Sequence, residues 1–355
     1  MKKRSRVLFL PDYSNTNPYQ RLLQQSLGKF GYRIEPVHLR SLLKKAVLNL
    51  RRGDIAALHM HWPAESVVMR SGWTTFVNAL MLTTGIFLVR IAKGRVVWTA
   101  HNLWAHESFS RRYEGLLKGL LARLCDAIIV HSNAGSRLVE DLLHLGPRKK
   151  KLRVIPHGNY IGVYPRGGRE EEIKRALGIR NGEFIFLFFG RIREHKALDE
   201  LVDSFTKIDA GNHRLLVVGT PQTPEIGKKT LELLSNKRAS AYLQFVENED
   251  VQAFFDIANV VVLPYRTVLT SGTLYLAMSL ARAVIVPRIG DLAEILPTTY
   301  PLYYDAADPT ALEAAMRKAV SLDLPSLGNE VYEIAKKYDW SEIGRRTHEV
   351  YSSAV

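Results

Sequence analysis

Two cations five residues apart, Arg191 and Lys196, follow a continuously apolar run, Phe184-Ile-Phe-Leu-Phe-Phe189, and a glycine, Gly190. Such a run reads as a strand buried on both faces. Gly190 lets the backbone turn tightly, and Ala197 to Phe205 reads as an amphipathic helix. The pair therefore belongs at the carboxyl end of a parallel strand, where open α/β sheets bind ligands. A fixed guanidinium fork beside a mobile ammonium suits a diphosphate that must leave with its charge neutralised. The plainer reading of the same cations is a solvated basic loop.

A second anion-binding pattern lies downstream. The loop Leu269-Thr-Ser-Gly-Thr273 leads into a helix over 274–280. Small residues before a helix leave backbone N–H groups free to face an anion, and the helix dipole favours negative charge there. Ser271 or Thr270 as a simple helix cap is the alternative. In the first half, His101-Asn102 ends the strand Val96-Val-Trp-Thr-Ala100, with His106 and Glu107 following. A neutral His101 would hydrogen-bond a hydroxyl, and a charged one would stabilise an anion. His59-Met-His61-Trp62-Pro63-Ala-Glu65 follows another strand, and an aromatic ring beside hydrogen-bonding groups is what stacking on a pyranose requires. His59 and His61 are expected on opposite sides of that strand, which would exclude a shared metal. His157-Gly158 closes the last strand of the half as cleft lining and hinge. Asn15, Thr16 and Asn17 either bind an acceptor or cap the helix from Pro18.

Gly190-Arg191 with Lys196 resembles the G-R-L-x-x-x-K-G element of the GT-B glycosyltransferases, specifically the retaining family numbered four. The resemblance runs in register through most of the second half and more loosely through the first. It implies an α/β chain of two Rossmann-like domains with parallel sheets facing a central cleft, and a C-terminal helix crossing back to the first domain. It also implies transfer of a hexose from a nucleotide diphosphate sugar, UDP- or GDP-linked, to an acceptor hydroxyl. Arg191 and Lys196 would hold the leaving diphosphate, helped by backbone N–H groups at Ser271, Gly272 and Thr273, and no metal or other cofactor is implied. Gly219, in Val218-Gly219-Thr220-Pro221, and Val246, in Phe245-Val246-Glu247, fall where the family places the nucleoside. Backbone readout there leaves the base open. Gly290-Asp291-Leu-Ala-Glu294 resembles the family's G-G-x-x-E, so Asp291 or Glu294 would accept hydrogen bonds near the phosphates. His101 falls at the family's cleft histidine and would act in catalysis with Arg191 and Lys196.

One departure bears on mechanism. The family carries two glutamates eight positions apart around the small-residue loop, and this chain has Val268 and Leu276 there, or Leu269 and Ala277 one register along. Neither register restores a carboxylate. An inverting transferase, with Asp12, Glu65 or Glu107 as base, or a non-catalytic nucleotide-sugar-binding partner protein would each account for this. No G-x-G-x-x-G follows the first strand, which argues against a Rossmann oxidoreductase.

The elements that must position these groups alternate throughout, as parallel sheets with crossover helices require. Strands are expected near 6–10, 33–38, 55–60, 95–100, 126–131 and 152–156, then near 184–189, 214–219, 242–246, 259–263, 284–287 and 302–304. At 355 residues the chain suits two domains: residues 1–165 facing acceptor and membrane, 166–337 binding the nucleotide sugar, and a helix over 338–355 that Ser341 would cap. Cys125 is the single cysteine, which excludes an internal disulfide and reads as a small core residue.

The formal charge of +14 is concentrated in the first half, where residues 1–165 carry 26 Lys/Arg against 9 Asp/Glu. The rest carries 23 against 26. Without an aromatic-studded basic helix, zinc spacing or RNA-binding signature, that face is not read as binding nucleic acid. It is read as meeting an anionic membrane surface, with the leucine-and-cation stretch Arg40 to Arg52 as an interfacial helix. Trp73 to Val89, 17 residues between Arg70 and Arg90, is shorter than the roughly 20 apolar residues of a membrane span. It reads as a domain helix with one greasy face. A lipid-linked or oligosaccharide acceptor, and a cytoplasmic protein peripheral on the inner face of the plasma membrane, are the corresponding expectations. Exopolysaccharide or cell-envelope assembly is the matching setting.

Overall fold

Parallel strands cannot be joined by tight hairpins, so each apolar run must be followed by a crossover long enough to return the chain to the same sheet edge. The computed structural model builds two six-stranded sheets in this way. It describes residues 5–14, 17–102, 104, 109–208, 211–235 and 237–353. The chain divides into a first unit, Met1–Gly158 with Asp339–Val355, and a second, Asn159–Tyr338. The 159–165 stretch, assigned above to the first domain, therefore clusters with the second.

The first unit runs β1 (Arg6–Leu10), α1 (Pro18–Gly28), β2 (Arg33–Pro36), α2 (Leu39–Arg52), β3 (Ile55–Met60), α3 (Pro63–Val67), α4 (Gly72–Ile91), β4 (Arg95–Thr99), α5 (Arg111–Leu124), β5 (Ala127–Val130), α6 (Asn133–Leu143) and β6 (Leu152–Val154). The second runs α7 (Glu170–Ala176), β7 (Phe184–Phe189), α8 (Leu198–Lys207), β8 (His213–Val218), α9 (Pro224–Leu234), β9 (Ala239–Tyr242), α10 (Asn248–Ile257), β10 (Val260–Val262), α11 (Gly272–Ser279), β11 (Val284–Pro287), α12 (Leu292–Ile295), β12 (Tyr303–Tyr304), α13 (Ala311–Val320) and α14 (Leu324–Lys336). The last helix, α15 (Trp340–Ser352), belongs to the first unit.

In the first sheet the order is β2-β1-β3-β4-β5-β6, all parallel. Every residue of β3 is buried, as a central strand covered on both faces must be. Asn17 caps α1, its side chain accepting from the Tyr19 N–H at 3.0 Å, with Pro18 at the first helical position. Asn15 and Thr16, the other candidates of that turn, lie outside the described residues. α15 is built into this unit's core: Ile343, Val350 and Tyr351 pack with Leu23 and Leu27 of α1 and with Val7 and Phe9 of β1. Its cap is Asp339, which accepts from the Ser341 N–H at 2.8 Å, so Ser341 is the capped residue and not the cap.

The second sheet has the order β12-β11-β10-β7-β8-β9. Its edge strand differs from expectation. β9 covers Ala239–Tyr242, whereas the apolar run 242–246 continues past it. The reason is the partner: β8 ends at Val218, paired with Tyr242, and Gly219 then turns away with φ +137°. Phe245, beyond the last rung, is 59% exposed.

One further expectation changes, the length of the apolar helix, while the reading of Cys125 as a core residue holds. α4 is 20 residues long, so length and composition alone would let it span a bilayer. Thr75, Leu82, Gly85, Ile86 and Val89 of α4 are nonetheless buried within the unit, which makes it a domain helix. Cys125 is fully buried, and burial pushes its thiol well up from the ordinary range.

Candidate active site

The carboxyl end of β7 builds the second unit's site. Gly190 takes φ +109°, a conformation that a side chain disfavours. A Cβ there would lie 3.2 Å from Lys196 Nζ and 3.3 Å from Thr273 Oγ1, so both groups converge on the bare glycine. The Thr273 hydroxyl donates to the Phe189 carbonyl at 3.5 Å. The Lys196 ammonium lies 5.1 Å from the Tyr265 ring centre and 5.8 Å from that of Phe188. Lys196 has no carboxylate partner among the described residues. Arg191 is exposed beside it.

The loop is strapped from behind. Arg266 binds Glu200 at 2.6 Å and Asp199 at 2.9 Å, donates to the Glu194 carbonyl at 3.2 Å, and its own N–H reaches the His195 carbonyl at 3.0 Å. Burial, then Lys196 and Arg193, hold His195 down to about 4, so it is neutral at pH 7 and leaves the positive charge to the Arg and Lys side chains.

Around this loop, Ser271 caps α11 by accepting from the Leu274 N–H at 3.3 Å. Gly272 and Thr273 open the helix. Gly219 packs so closely that a Cβ would run into the Gly190 carbonyl. Val246 is buried just after the sheet edge. Gly290, at φ +52°, leaves no room for a Cβ beneath the Val268 carbonyl. Of the two acids beyond it, Glu294 is exposed and Asp291 is fully buried. Burial pushes the Asp291 carboxyl up to about 8, against the opposing pull of the Ser271 N–H and Thr270 hydroxyl. Leu269, Leu276 and Ala277 are buried apolar residues, so no carboxylate replaces the absent glutamates on this loop and helix.

The first unit carries a second cluster. β3, β4, β5 and β6 lie side by side, and at or beyond the end of each is histidine: His59 and His61, His101, His131, and His157. His59 and His61 share one side, with ring centres 4.2 Å apart. Side chains two residues apart line the same face of a strand, which corrects the expectation of opposite sides. No group of three or more potential ligands among the described residues is placed to hold a metal.

The histidines hydrogen-bond to their surroundings and partly to one another. His59 lies between the Tyr351 hydroxyl (2.6 Å) and the Thr99 hydroxyl (2.7 Å). His131 Nδ1 is 2.9 Å from the Ile155 carbonyl, and His131 Nε2 is 3.2 Å from His101 Nδ1. His101 Nε2 is 3.3 Å from His61 Nδ1. Burial holds His59 to about 3 and His131 to about 4, and pushes His61 and His101 well below the ordinary range, so all four are neutral. His101 is thus buried with both ring nitrogens engaged by other histidines.

His61 and His101 line a pocket with Trp62, Glu65, Glu114 and Lys118, with about 340 Å³ of empty space including its mouth. Trp62 stacks on His101 with ring centres 4.3 Å apart. Glu114 and Lys118 form a buried ion pair at 2.7 Å, and Glu65 accepts from the Tyr13 hydroxyl at 2.6 Å. His106 and Glu107 lie outside the described residues. Sequence reasoning passed over His131, although its signal was present: Ala127-Ile-Ile-Val-His131 repeats the pattern of an apolar run ending in histidine.

Residues 183–321 match the family described as Glycosyl transferases group 1. The GDP-mannose:glycolipid 4-beta-D-mannosyltransferase of Xanthomonas campestris pv. campestris is 28% identical over 96% of this chain and 90% of its own length. The alpha-maltose-1-phosphate synthase of Mycolicibacterium smegmatis is 26% identical over 84% of each. HepE of Anabaena, solved with UDP and glucose, superposes with a TM-score of 0.72 over 99% of this chain and 100% of that one, at 15% identity. Sucrose-phosphate synthase of Thermosynechococcus elongatus gives 0.72 over 98% of both, at 16% identity. The chain is a glycosyltransferase of the GT-B fold, and its second unit carries the group 1 match.

Proposed function

We propose that this enzyme moves a hexose from a UDP- or GDP-sugar to a hydroxyl of a lipid-linked or polysaccharide acceptor. The observation that carries the reading is the convergence of Lys196 Nζ and Thr273 Oγ1 on Gly190, beside Arg191. A diphosphate at that bare glycine would meet an ammonium, a guanidinium and the open N–H groups of α11, which together stabilise the leaving group without a metal. Gly219 and Val246 would flank the nucleoside, and Glu294 would accept hydrogen bonds near the phosphates. His101 would act on the first unit, through its histidine neighbours.

The glycolipid named in the Xanthomonas relative's activity favours a lipid-linked acceptor here too. So does the first unit's surface. Trp73, Phe76, Leu80, Phe87 and Ile91 form an exposed apolar stripe along α4. Val47, Leu48 and Leu50 are exposed on neighbouring α2, beside the exposed cations Arg40, Lys44, Arg51 and Arg52. Apolar residues flanked by cations suit an anionic bilayer surface, which supports the reading of a protein peripheral on the inner face of a plasma membrane. The β linkage in that relative's name, together with the missing carboxylates, favours the inverting reading.

Calorimetric titration with UDP and with GDP tests the donor site. One nucleotide is expected to bind, and Arg191→Ala or Lys196→Ala to weaken it at least tenfold, about 1.4 kcal/mol. Binding of neither by the wild type would remove the reading.

A further inference from the structure

We propose that His61 is the general base that takes the proton of the acceptor hydroxyl, with His101 and His131 as a relay behind it; this rests on the transferase reading above.

The geometry sets the direction of the chain. A carbonyl only accepts, so His131 Nδ1 must carry the hydrogen that binds Ile155. In a neutral ring Nε2 is then a bare acceptor, and His101 Nδ1 must donate to it. His101 Nε2 is bare in turn, and His61 Nδ1 must donate to it. Each assignment forces the next, and the chain ends at His61 Nε2, a bare lone pair. That atom is buried and has no hydrogen-bond partner among the described residues. His61 is among the residues that line the pocket, where a sugar hydroxyl would be the donor to this unmet acceptor. An unpaired buried acceptor of this kind is costly unless a ligand donates to it.

The step balances without another reactant. The acceptor oxygen bonds to the anomeric carbon while the bond from that carbon to the diphosphate oxygen breaks, its electron pair leaving with the nucleotide. The hydroxyl proton passes to His61 Nε2. The Nδ1 proton of His61 moves to His101 Nε2, and the Nδ1 proton of His101 moves to His131 Nε2. The cation then rests on His131, two rings from the reacting atoms, where burial disfavours it and the Ile155 carbonyl offsets part of that cost.

Among the described residues, the carboxylates that could compete are engaged. Asp12 accepts from the Ser14 N–H and hydroxyl at 3.1 and 2.7 Å, Glu65 from Tyr13, and Glu114 is paired with Lys118. Titratable groups facing the chain from neighbouring elements are His59, His157, Tyr19 of α1 and Tyr351 of α15, with Glu65, Glu114 and Lys118 across the pocket.

Nitrogen-15 NMR of histidine-labelled wild type reads the tautomers directly. Nδ1–H forms are expected at His61, His101 and His131, and an Nε2–H form at His61 overturns the proposal. Methanol serves as the probe acceptor with the sugar nucleotide that binds. The methyl glycoside is expected with inverted configuration; retention, or no turnover despite bound nucleotide, overturns the base role. His61→Gln should lower methanolysis about 10²-fold with nucleotide affinity unchanged, the unchanged affinity also reporting that the variant folds. His131→Gln should lower kcat and shift the acid limb of the pH profile while KM for the donor holds. Unaltered methanolysis in His61→Gln defeats this inference but leaves the transferase reading, whereas a wild type that binds no nucleotide defeats both.

Discussion

Asp291 shows how one side chain's surroundings reset its chemistry. An exposed aspartate at the start of α12 would be a plain anion, but burial raises this carboxyl to about 8. In the unfolded chain it titrates at the ordinary value of 3.8. Between those values the native state holds a proton that the unfolded state has released, so stability falls as pH rises from about 4 to 8 and levels off above. Asp291→Asn removes the titration. Its stability relative to wild type should grow with pH, by up to about 1.4 kcal/mol per unit across that window. Urea unfolding at pH 5, 7 and 9 measures this, and a difference independent of pH would refute the assignment.

The elements show where periodicity informs and where it stops. α4 repeats apolar residues on two sides, and only packing decides which stripe faces the unit: Leu82, Ile86 and Val89 are inside, Trp73, Phe76 and Leu80 outside. Because Trp73 and Phe76 are 74% and 59% exposed, Trp73→Ser with Phe76→Ser should leave the thermal midpoint nearly unchanged. Each ring buried in lipid contributes about 1.5–3 kcal/mol. The double variant should therefore bind anionic phosphatidylglycerol vesicles at least about tenfold more weakly in flotation. Equal binding would remove α4 from the membrane face. β9 teaches the complementary lesson, since an apolar run becomes a strand only as far as its neighbour offers hydrogen bonds.

Across the whole molecule, the first unit should lose stability in acid far more steeply than the second. His59, His131 and His157 are held at about 3, 4 and 3, with His61 and His101 also well below the ordinary 6.5. Below pH 6.5 the unfolded chain binds protons that the native first unit refuses. The stability from these depressed values is present above 6.5 and lost as pH falls toward 4. With five such rings the loss reaches several kcal/mol per pH unit, a large part of a domain's total. The second unit has His195 alone in this condition among its described residues, and Asp291 offsets it by favouring acid. Calorimetry from pH 7.5 to 5 should show the first unit's transition falling away from the second's. A common shift would show that the histidines titrate normally.

The sequence by itself determined the alternation of strands and helices, the two sheets, and the glycine-and-cation loop after β7. These are local: an apolar run of five or six residues carries its own burial pattern, and Gly190, Arg191 and Lys196 lie within seven positions. The position of His101 just beyond a strand end was legible, and His131 carried the same signal. What no linear reading contains is which strand ends are neighbours. The order β3-β4-β5-β6 brings residues 61, 101 and 131 within hydrogen-bond reach, and α15 delivers Tyr351 to His59 from 292 residues away. The relay and the burial of Asp291 were therefore decided by tertiary structure, because tautomers and ionisation depend on solvation and on partners that only folding assembles.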